Sequence, residues 1–219
     1  MTISTHFRSR AVCRPLDKPA HGFTLVEMAI VLTIVGILLA GLLPMISGQI
    51  EQSRRNETRK YMDEVRDALL GYAIANKHLP CPDTDDDGKE NTPCTAATFT
   101  VGKLPYNDLG VSDKDAYGKV LGYAVTNNFA ASATLTLGIT GAIPVGTSSG
   151  TSNLTSAAAA LIVSHGANWA TPTTEESVND TGTPNFISKD FVQNGFDDLV
   201  VWISPNILFN RMVAAGQLP

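Results

Sequence analysis

The chain has 219 residues, of which 43% are hydrophobic and 17% are charged, and its formal net charge at pH 7 is −5. By length alone the chain could hold one or two domains, and a leader and a long helix at its start would leave enough residues for only one. The negative balance argues against a nucleic-acid partner, because neutralising phosphates requires clustered Lys and Arg. The basic cluster Arg54, Arg55, Arg59 and Lys60 is interleaved with acids, which is typical of the solvated face of a helix.

The first 22 residues form a basic leader. Its removal changes the formal charge from −5 to −8, because it carries four basic residues and one acidic residue: Arg8, Arg10, Arg14, Lys18 and Asp17. Basic segments beside a membrane span stay on the cytoplasmic side, so we expect the leader to be cytoplasmic.

An apolar run follows the leader, with one acid at its start. Residues 28–46 contain no charge, and about 20 apolar residues are enough to cross a bilayer. A carboxylate near a bilayer costs about 2.5–3.5 kcal/mol, so Glu27 is expected to have a cationic partner. Cleavage after Gly22 would supply one, because the new α-amino group of Phe23 would lie one helical turn before Glu27, in the same chain or in a neighbouring copy.

The string from Gly22 to Leu32, GFTLVEMAIVL, resembles the processing and assembly motif of type IV pilins and of the pseudopilins of type II secretion. In that family a prepilin peptidase cuts after the glycine and methylates the new phenylalanine amine, and the glutamate guides the subunit into a helical filament. The resemblance implies these roles for Gly22, Phe23 and Glu27. An ordinary secretory signal fits less well, because no Ala-x-Ala-like cleavage site follows the run.

The resemblance also implies partners and a location. The partners would be prepilin peptidase and other pilin or pseudopilin subunits. The protein would cross the inner membrane once, with a periplasmic C-terminal head, before it enters a periplasmic pseudopilus or an extracellular pilus (fimbrium).

Two helix-perturbing residues lie within the apolar run. In the pilin family a glycine and a proline bracket a stretch of helix that can melt in the filament, and Gly36 and Pro44 occupy the corresponding places. Pro44 also removes a backbone hydrogen bond, so a kink is expected there. The alternative is a packing glycine and a proline tolerated in a membrane helix.

A helical pattern continues beyond the apolar run and ends before Pro80. It predicts a helix from Phe23 to about Lys77, whose second half must pack on the rest of the chain. The apolar positions that recur on one helical face are Tyr61, Val65, Ala68, Leu69, Tyr72 and Ala73.

The remaining sequence predicts a β-rich head. The best strands, rich in β-branched residues and bounded by turn residues, are 120–125, 134–139, 159–163 and 199–203, and Asn206–Ala215 is expected to form a closing helix. We therefore expect an α+β fold in which the long N-terminal helix packs on an antiparallel β-sheet, the shape of pilin heads. The expected organisation is a leader (1–22), a helix (23–79) that spans the membrane to about residue 46, and a globular head (80–219).

Two of the three cysteines are expected to form a disulfide. Cys13 lies in the leader, whereas Cys81 and Cys94 form a close pair in the exported part. In an oxidising compartment such a pair favours a crosslink worth roughly 3 kcal/mol. Buried thiols or half of a zinc site are weaker alternatives, since no further ligands stand at metal spacing.

An acidic turn lies between these cysteines. Asp83, Asp85 and Asp87 alternate ahead of Gly88, as at the start of an EF-hand calcium loop, which is the basis for a Ca²⁺ hypothesis. The twelfth position is Cys94 rather than a bidentate glutamate. Glu90 or Asp108 would have to complete the ligand shell, and the alternative is a solvated acidic turn.

A second resemblance concerns the string from Asp115 to Gly118 ahead of a strand containing Tyr123. The string resembles one in major pseudopilins of type II secretion, which bind calcium in a C-terminal loop; we assign no residue of this chain to that loop. A turn leading into the strand explains the same residues.

The sequence does not predict an enzyme. Ser164 and His165 with Asp197 or Asp198 contain the residue types of a hydrolase triad, but no nucleophile elbow is present. Two functions remain: a structural subunit, pseudopilin or minor pilin, that polymerises through its N-terminal helix, or a monomeric membrane-anchored envelope protein with a calcium- or ligand-binding head. Glu27 favours the first, because a plain anchor has no use for it.

Overall fold

The structure is a computed structural model that describes residues 22–94, 98–130, 135–193 and 195–218; the side chains of residues 42–47 are not among those described. The chain divides into two compact units, residues 1–48 and 49–219. Helix α1, Leu25–Asn76, contributes residues to both units.

The first part of α1 carries exposed apolar side chains. They include Leu25, Val26, Ile30, Leu32, Ile34, Val35, Ile37, Leu38 and Leu39. Among the residues whose side chains are described, no helix combines the length and the apolarity of a membrane span. The predicted span and the predicted kink reach residues 42–47, so the side chain of Pro44 lies outside the described set, whereas Gly36 lies within the helix.

The second part of α1 is amphipathic, as predicted. Met62, Val65, Leu69 and Ala73 are fully buried at helical spacing. The helix ends at Asn76, close to the predicted end, and the next residue has a left-handed φ of 65° that stops it.

The buried stripe extends further toward the N-terminus than the sequence indicated. Thr58 is fully buried and Arg55 is only 5% exposed, so placing Arg55 on a solvated face was wrong. The reason is tertiary: the guanidinium lies 3.9 Å from the centroid of the Phe191 ring. A long side chain can be buried in this way while its planar head stacks on an aromatic face.

The head contains a four-stranded antiparallel sheet, as the sequence led us to expect, although its strands are only partly those predicted. Its strands, in spatial order, are β1 (Phe99–Lys103), β2 (Gly122–Thr126), β5 (Ala160–Ser164) and β7 (Leu199–Ile203). Three of these were predicted, whereas β1 was not. The strand predicted at 134–139 is wrong for residues 135–139, which form a turn and coil, while residue 134 lies outside the described residues.

A second, smaller sheet was not predicted. Its strands are β4 (Thr155–Ala158), β3 (Ile143–Gly146) and β6 (Phe186–Ile187), in that spatial order, and β3 and β6 run parallel. The 3-10 helix Glu176–Asp180 precedes β6. The short helix α2 (Tyr106–Leu109) lies between β1 and β2 of the larger sheet, and α3 (Asn127–Ala130) lies between β2 and β3, a strand of the smaller sheet.

Side chains alternate between the two faces of the large sheet. Tyr123 and Ile162 join the core that contains the buried stripe of α1 and the closing helix α4 (Pro205–Ala214). Ala124 and Leu161 point to the other face, where they pack with residues of the small sheet. The predicted α+β class is therefore confirmed, with a helix packed on one face of an antiparallel sheet.

Candidate functional site

The start of α1 is capped by the side chains of Thr24 and Glu27. The Glu27 backbone N–H donates to Thr24 Oγ1 at 3.2 Å, and the Thr24 backbone N–H donates to Glu27 Oε2 at 3.4 Å. This reciprocal pair is a capping box, which satisfies two backbone donors that a helix start leaves unpaired. Thr-x-x-Glu before an apolar run was visible in the sequence, but this second role of Glu27 was missed.

The residues of the predicted processing point lie ahead of this cap. Gly22 and Phe23 precede the first helical residue and are exposed. A Cβ added at Gly22 would meet no atom of the described residues within 4 Å. An alanine there would therefore leave the fold of the chain unchanged, and any effect on cleavage would reflect recognition by the peptidase.

The acidic turn is organised by the carboxylate of Asp83. Its Oδ1 accepts from the backbone N–H groups of Asp85 and Asp86 at 3.0 and 2.8 Å, and its Oδ2 accepts from Gly88 N–H at 2.8 Å. Carboxylate oxygens of Asp83, Asp85 and Asp87 lie within 4.8 Å of one another. The structure thus brings together the three acids of the calcium hypothesis.

The two acids expected to complete that shell have other partners. Glu90 accepts from Tyr72 Oη at 2.9 Å and from the Cys81 backbone N–H at 3.0 Å, while Asp108 Oδ2 accepts from the Glu90 N–H at 2.7 Å. Neither acid joins the three aspartates as a potential ligand. The structure also contains the predicted disulfide between Cys81 and Cys94, with a Cα–Cα distance of 5.7 Å.

A second acidic group lies inside the head and was not foreseen. Glu176, Asp197 and Asp198 are all buried, and one carboxylate oxygen from each lies within 4.8 Å of one from the others. Glu176 comes from the 3-10 helix, whereas the two aspartates immediately precede β7. The aspartate pair was visible in the sequence, but no local pattern connects it to an acid about 20 residues earlier.

Hydrogen bonds hold this buried group in place. Glu176 Oε1 accepts from the Asp197 N–H at 2.6 Å, and its Oε2 accepts from Thr173 N–H at 2.7 Å and from Asn168 Nδ2 at 2.9 Å. Asp197 Oδ2 accepts from the Ala167 N–H at 2.8 Å. Backbone donors therefore fix the orientation of Glu176 and Asp197, whereas Asp198 Oδ2 accepts from the side chain of Asn179 at 2.7 Å.

The pKa values of the group reflect burial and mutual repulsion. Burial raises the pKa of Asp197 to about 6, with the neighbouring charges of Glu176 and Asp198 adding to the effect. Burial also raises the pKa of Asp198, although His165 and Asn179 oppose it. Burial acts in the same sense on Glu176, but its hydrogen bonds outweigh it and lower its pKa. Burial therefore favours the neutral form of the two aspartates, whereas the hydrogen bonds of Glu176 favour its ionised form.

The string from Asp115 to Gly118 is a turn that holds α1. Asp115 Oδ1 accepts from the N–H groups of Tyr117 and Lys119 at 2.9 and 3.0 Å, and Tyr117 Oη donates to Glu51 Oε1 at 2.6 Å. The role of a turn that leads into β2 and contacts α1 therefore accounts for these residues.

Ser164 and His165 are not arranged as a triad. Ser164 is buried, and its Oγ donates to Asp115 Oδ2 at 2.6 Å. His165 lies between Asp180, at 3.5 Å from Nε2, and Asp198, at 3.8 Å from Nδ1. The acids raise the pKa of His165, although burial opposes this.

Comparison with known proteins identifies the N-terminal segment. Residues 17–43 match the family model of the prokaryotic N-terminal methylation motif. No curated protein and no solved structure shows a significant match to this chain. The chain thus carries the hallmark motif of type IV pilins and pseudopilins, and Gly22, Phe23 and Glu27 lie within the matched residues.

Proposed function

From the methylation motif at residues 17–43, which marks a substrate of prepilin peptidase, we propose that the protein is a structural subunit of a filament. It would be a pseudopilin or minor pilin of a type II secretion or type IV pilus-like system. The observation that carries this proposal is the motif itself, with Glu27 as the acid of an otherwise uncharged run. The mature protein, which would begin at Phe23, would lie in the inner membrane with its head in the periplasm.

Assembly would use both the apolar surface and the acid of α1. The described side chains of residues 25–41 are exposed, so this surface is available to lipid or to the helices of other subunits. A carboxylate in such a setting is costly unless it is paired, and the methylated amine of Phe23 in a neighbouring copy would pair with Glu27. Pairing of this kind fixes the register between identical helices.

The capping box provides a competing explanation for Glu27, and the two can be separated by mutation. Glu27→Gln keeps a side chain able to cap the helix but removes the charge, whereas Thr24→Ala removes the cap and keeps the charge. We expect Glu27→Gln to remain in the membrane and to enter filaments poorly, and Thr24→Ala to assemble. The measurement is the amount of each variant in sheared or purified filaments relative to the membrane fraction.

The opposite pattern would contradict the pairing role. If Glu27→Gln assembled normally while Thr24→Ala did not, Glu27 would act through helix capping, which is typically worth about 1 kcal/mol. Glu27→Val removes both the cap and the charge, so it serves as the reference for complete loss of filament entry.

Processing is tested independently of assembly. Mass spectrometry of the N-terminal peptide should find a methylated Phe23 in the mature form, and Gly22→Ala should accumulate the precursor. Because Gly22 has open space around it, this variant should retain the melting temperature of the precursor. Recovery of the intact leader from assembled filaments would refute cleavage at this bond.

A second candidate is a monomeric, membrane-anchored envelope protein with a calcium-binding head. The observation that favours it is the turn in which Asp83, Asp85 and Asp87 approach one another. If the protein is such an anchor, Glu27→Gln would leave its membrane location and the calcium binding of its head unchanged. Crosslinking in intact membranes separates the candidates, because a monomeric anchor yields no ladder of chains joined through α1.

A further inference from the structure

A cavity of about 600 Å³ lies against the large sheet, on the face that also packs with the small sheet. The apolar side of its lining comes from three strands and two aromatic residues: Val101, Gly122, Val163, Trp169 and Phe186. Sites for small organic molecules are clefts of about 300–1,000 Å³ with a mostly apolar lining and a few polar groups. The cavity therefore has the size and the lining of such a site.

Gly122 leaves one side of this cavity open. Its neighbour Tyr123 belongs to the core on the α1 side, so a side chain at position 122 would point to the cavity. The backbone does not require glycine there, because its φ is not positive and an added Cβ would make ordinary contacts of 3.5 Å with His165 and Val163. Glycine weakens a strand and often marks a position that a ligand approaches closely.

Lys119 brings an unpaired positive charge to the cavity. Its ammonium group lies 3.0 Å from the centroid of the Trp169 ring, which is 48% exposed. Among the described residues no carboxylate lies within 4 Å of this ammonium group. Lys119 is therefore held at the cavity by an aromatic ring and remains available to an anion.

The other basic groups of the lining already have acidic partners. Lys103 forms an ion pair with Asp86, and His165 Nε2 lies 3.5 Å from Asp180. The lining thus offers one positive charge without an acid, which matches a ligand that carries one negative charge.

We propose that this cavity binds a small aromatic monocarboxylate. Its carboxylate would accept hydrogen bonds from Lys119, and its ring would contact Trp169, Phe186 and the surface left open at Gly122. This site does not depend on the proposed role in a filament.

The lining favours this ligand over two other anions. A dianion such as phosphate would bring a second negative charge close to Asp180 without a second free cation to pair with it. A sugar acid would require several polar partners for its hydroxyls, but the Asn179 amide is already bonded to both backbone groups of Ile187 and to Asp198. An aromatic ring needs only apolar surface, and it gains further from contact with other rings.

The test is a titration of the full chain in zwitterionic detergent micelles with 4-fluorobenzoate, followed by the fluorine NMR signal of the probe. Empty micelles provide the baseline. We expect saturable binding of 4-fluorobenzoate. Its uncharged analogue 4-fluorobenzamide, which keeps the ring and the shape, should bind at least about tenfold more weakly, because a hydrogen bond to a charged group is lost.

Variants of the lining locate the bound probe. Lys119→Gln should lower the 4-fluorobenzoate affinity at least about tenfold, whereas Lys119→Arg should retain most of it. Lys114→Gln is the matched control, because Lys114 lies in the same loop but outside the cavity lining. Gly122→Val should abolish binding by filling the cavity, without lowering the melting temperature, since valine is favoured in strands.

Four results would overturn the proposal. The first is a wild-type signal that does not differ from that of empty micelles, and the second is equal affinity for 4-fluorobenzoate and 4-fluorobenzamide. The third is an unchanged affinity in Lys119→Gln. The fourth is normal binding by a folded Gly122→Val variant, which would place the probe elsewhere on the protein.

Discussion

Removing the disulfide should destabilise the head by an amount set mainly by the loop it closes. Cys81 and Cys94 are 13 residues apart, and the chain-entropy relation then gives about 10 cal/mol/K, or about 3 kcal/mol at 25 °C. In a domain of this size 1 kcal/mol shifts the melting temperature by about 2–4 °C. The double variant Cys81→Ala, Cys94→Ala should therefore melt roughly 6–12 °C lower than the wild type.

The assay is urea unfolding of the full chain in detergent, followed by tryptophan fluorescence. Alanine is used because Cys81 is buried in the core, where a serine hydroxyl would add a cost of its own. We also expect a larger m-value, since the denatured chain without the crosslink exposes more surface. Cys13→Ala is the control, because Cys13 lies in the leader. Coinciding unfolding curves for the double variant and the wild type would refute the loop-closure reasoning.

Three other changes test the head. Leu69→Ala should cost about 3–5 kcal/mol in denaturant unfolding, because the side chain is fully buried, whereas exposed Leu154→Ala should stay within about 0.5 kcal/mol. In calorimetry, Asp85→Ala should remove weak Ca²⁺ binding by the acidic turn, and reducing the disulfide should weaken that binding because the loop ends separate. Gly88→Ala should lower the melting temperature more than Gly150→Ala; both glycines have positive φ, but only the first would place its Cβ 2.4 Å from a tyrosine ring.

The parts of the fold that were predicted are those whose pattern is local and long. The apolar positions of α1 from Tyr61 to Ala73 repeat at helical spacing over several turns, and Leu199–Ile203 is an uninterrupted run of strand-forming residues. The helix predicted at Asn206–Ala215 was confirmed within one residue at each end, because Ser204 and Pro205 mark its start.

The strands that were not predicted lack a long local pattern. Ile143–Gly146 contains a proline and a glycine, and Phe186–Ile187 has only two residues, so neither carries a periodic pattern. They are strands because Val145 and Phe186 pack on the far face of the large sheet. Tertiary burial therefore overrides local propensity at these positions.

The same distinction separates the two acidic clusters. The turn at Asp83 could be recognised because three acids at alternate positions and a glycine lie within six residues, and backbone N–H groups of the same turn hold the first carboxylate. The buried group could not, because it depends on Glu176 meeting Asp197 across a stretch of irregular chain. The two clusters also differ in the solvation of their carboxylates. Asp85 and Asp87 are exposed, so water can solvate them without an ion, whereas one carboxylate oxygen each of Asp197 and Asp198 is buried with no protein donor among the described residues.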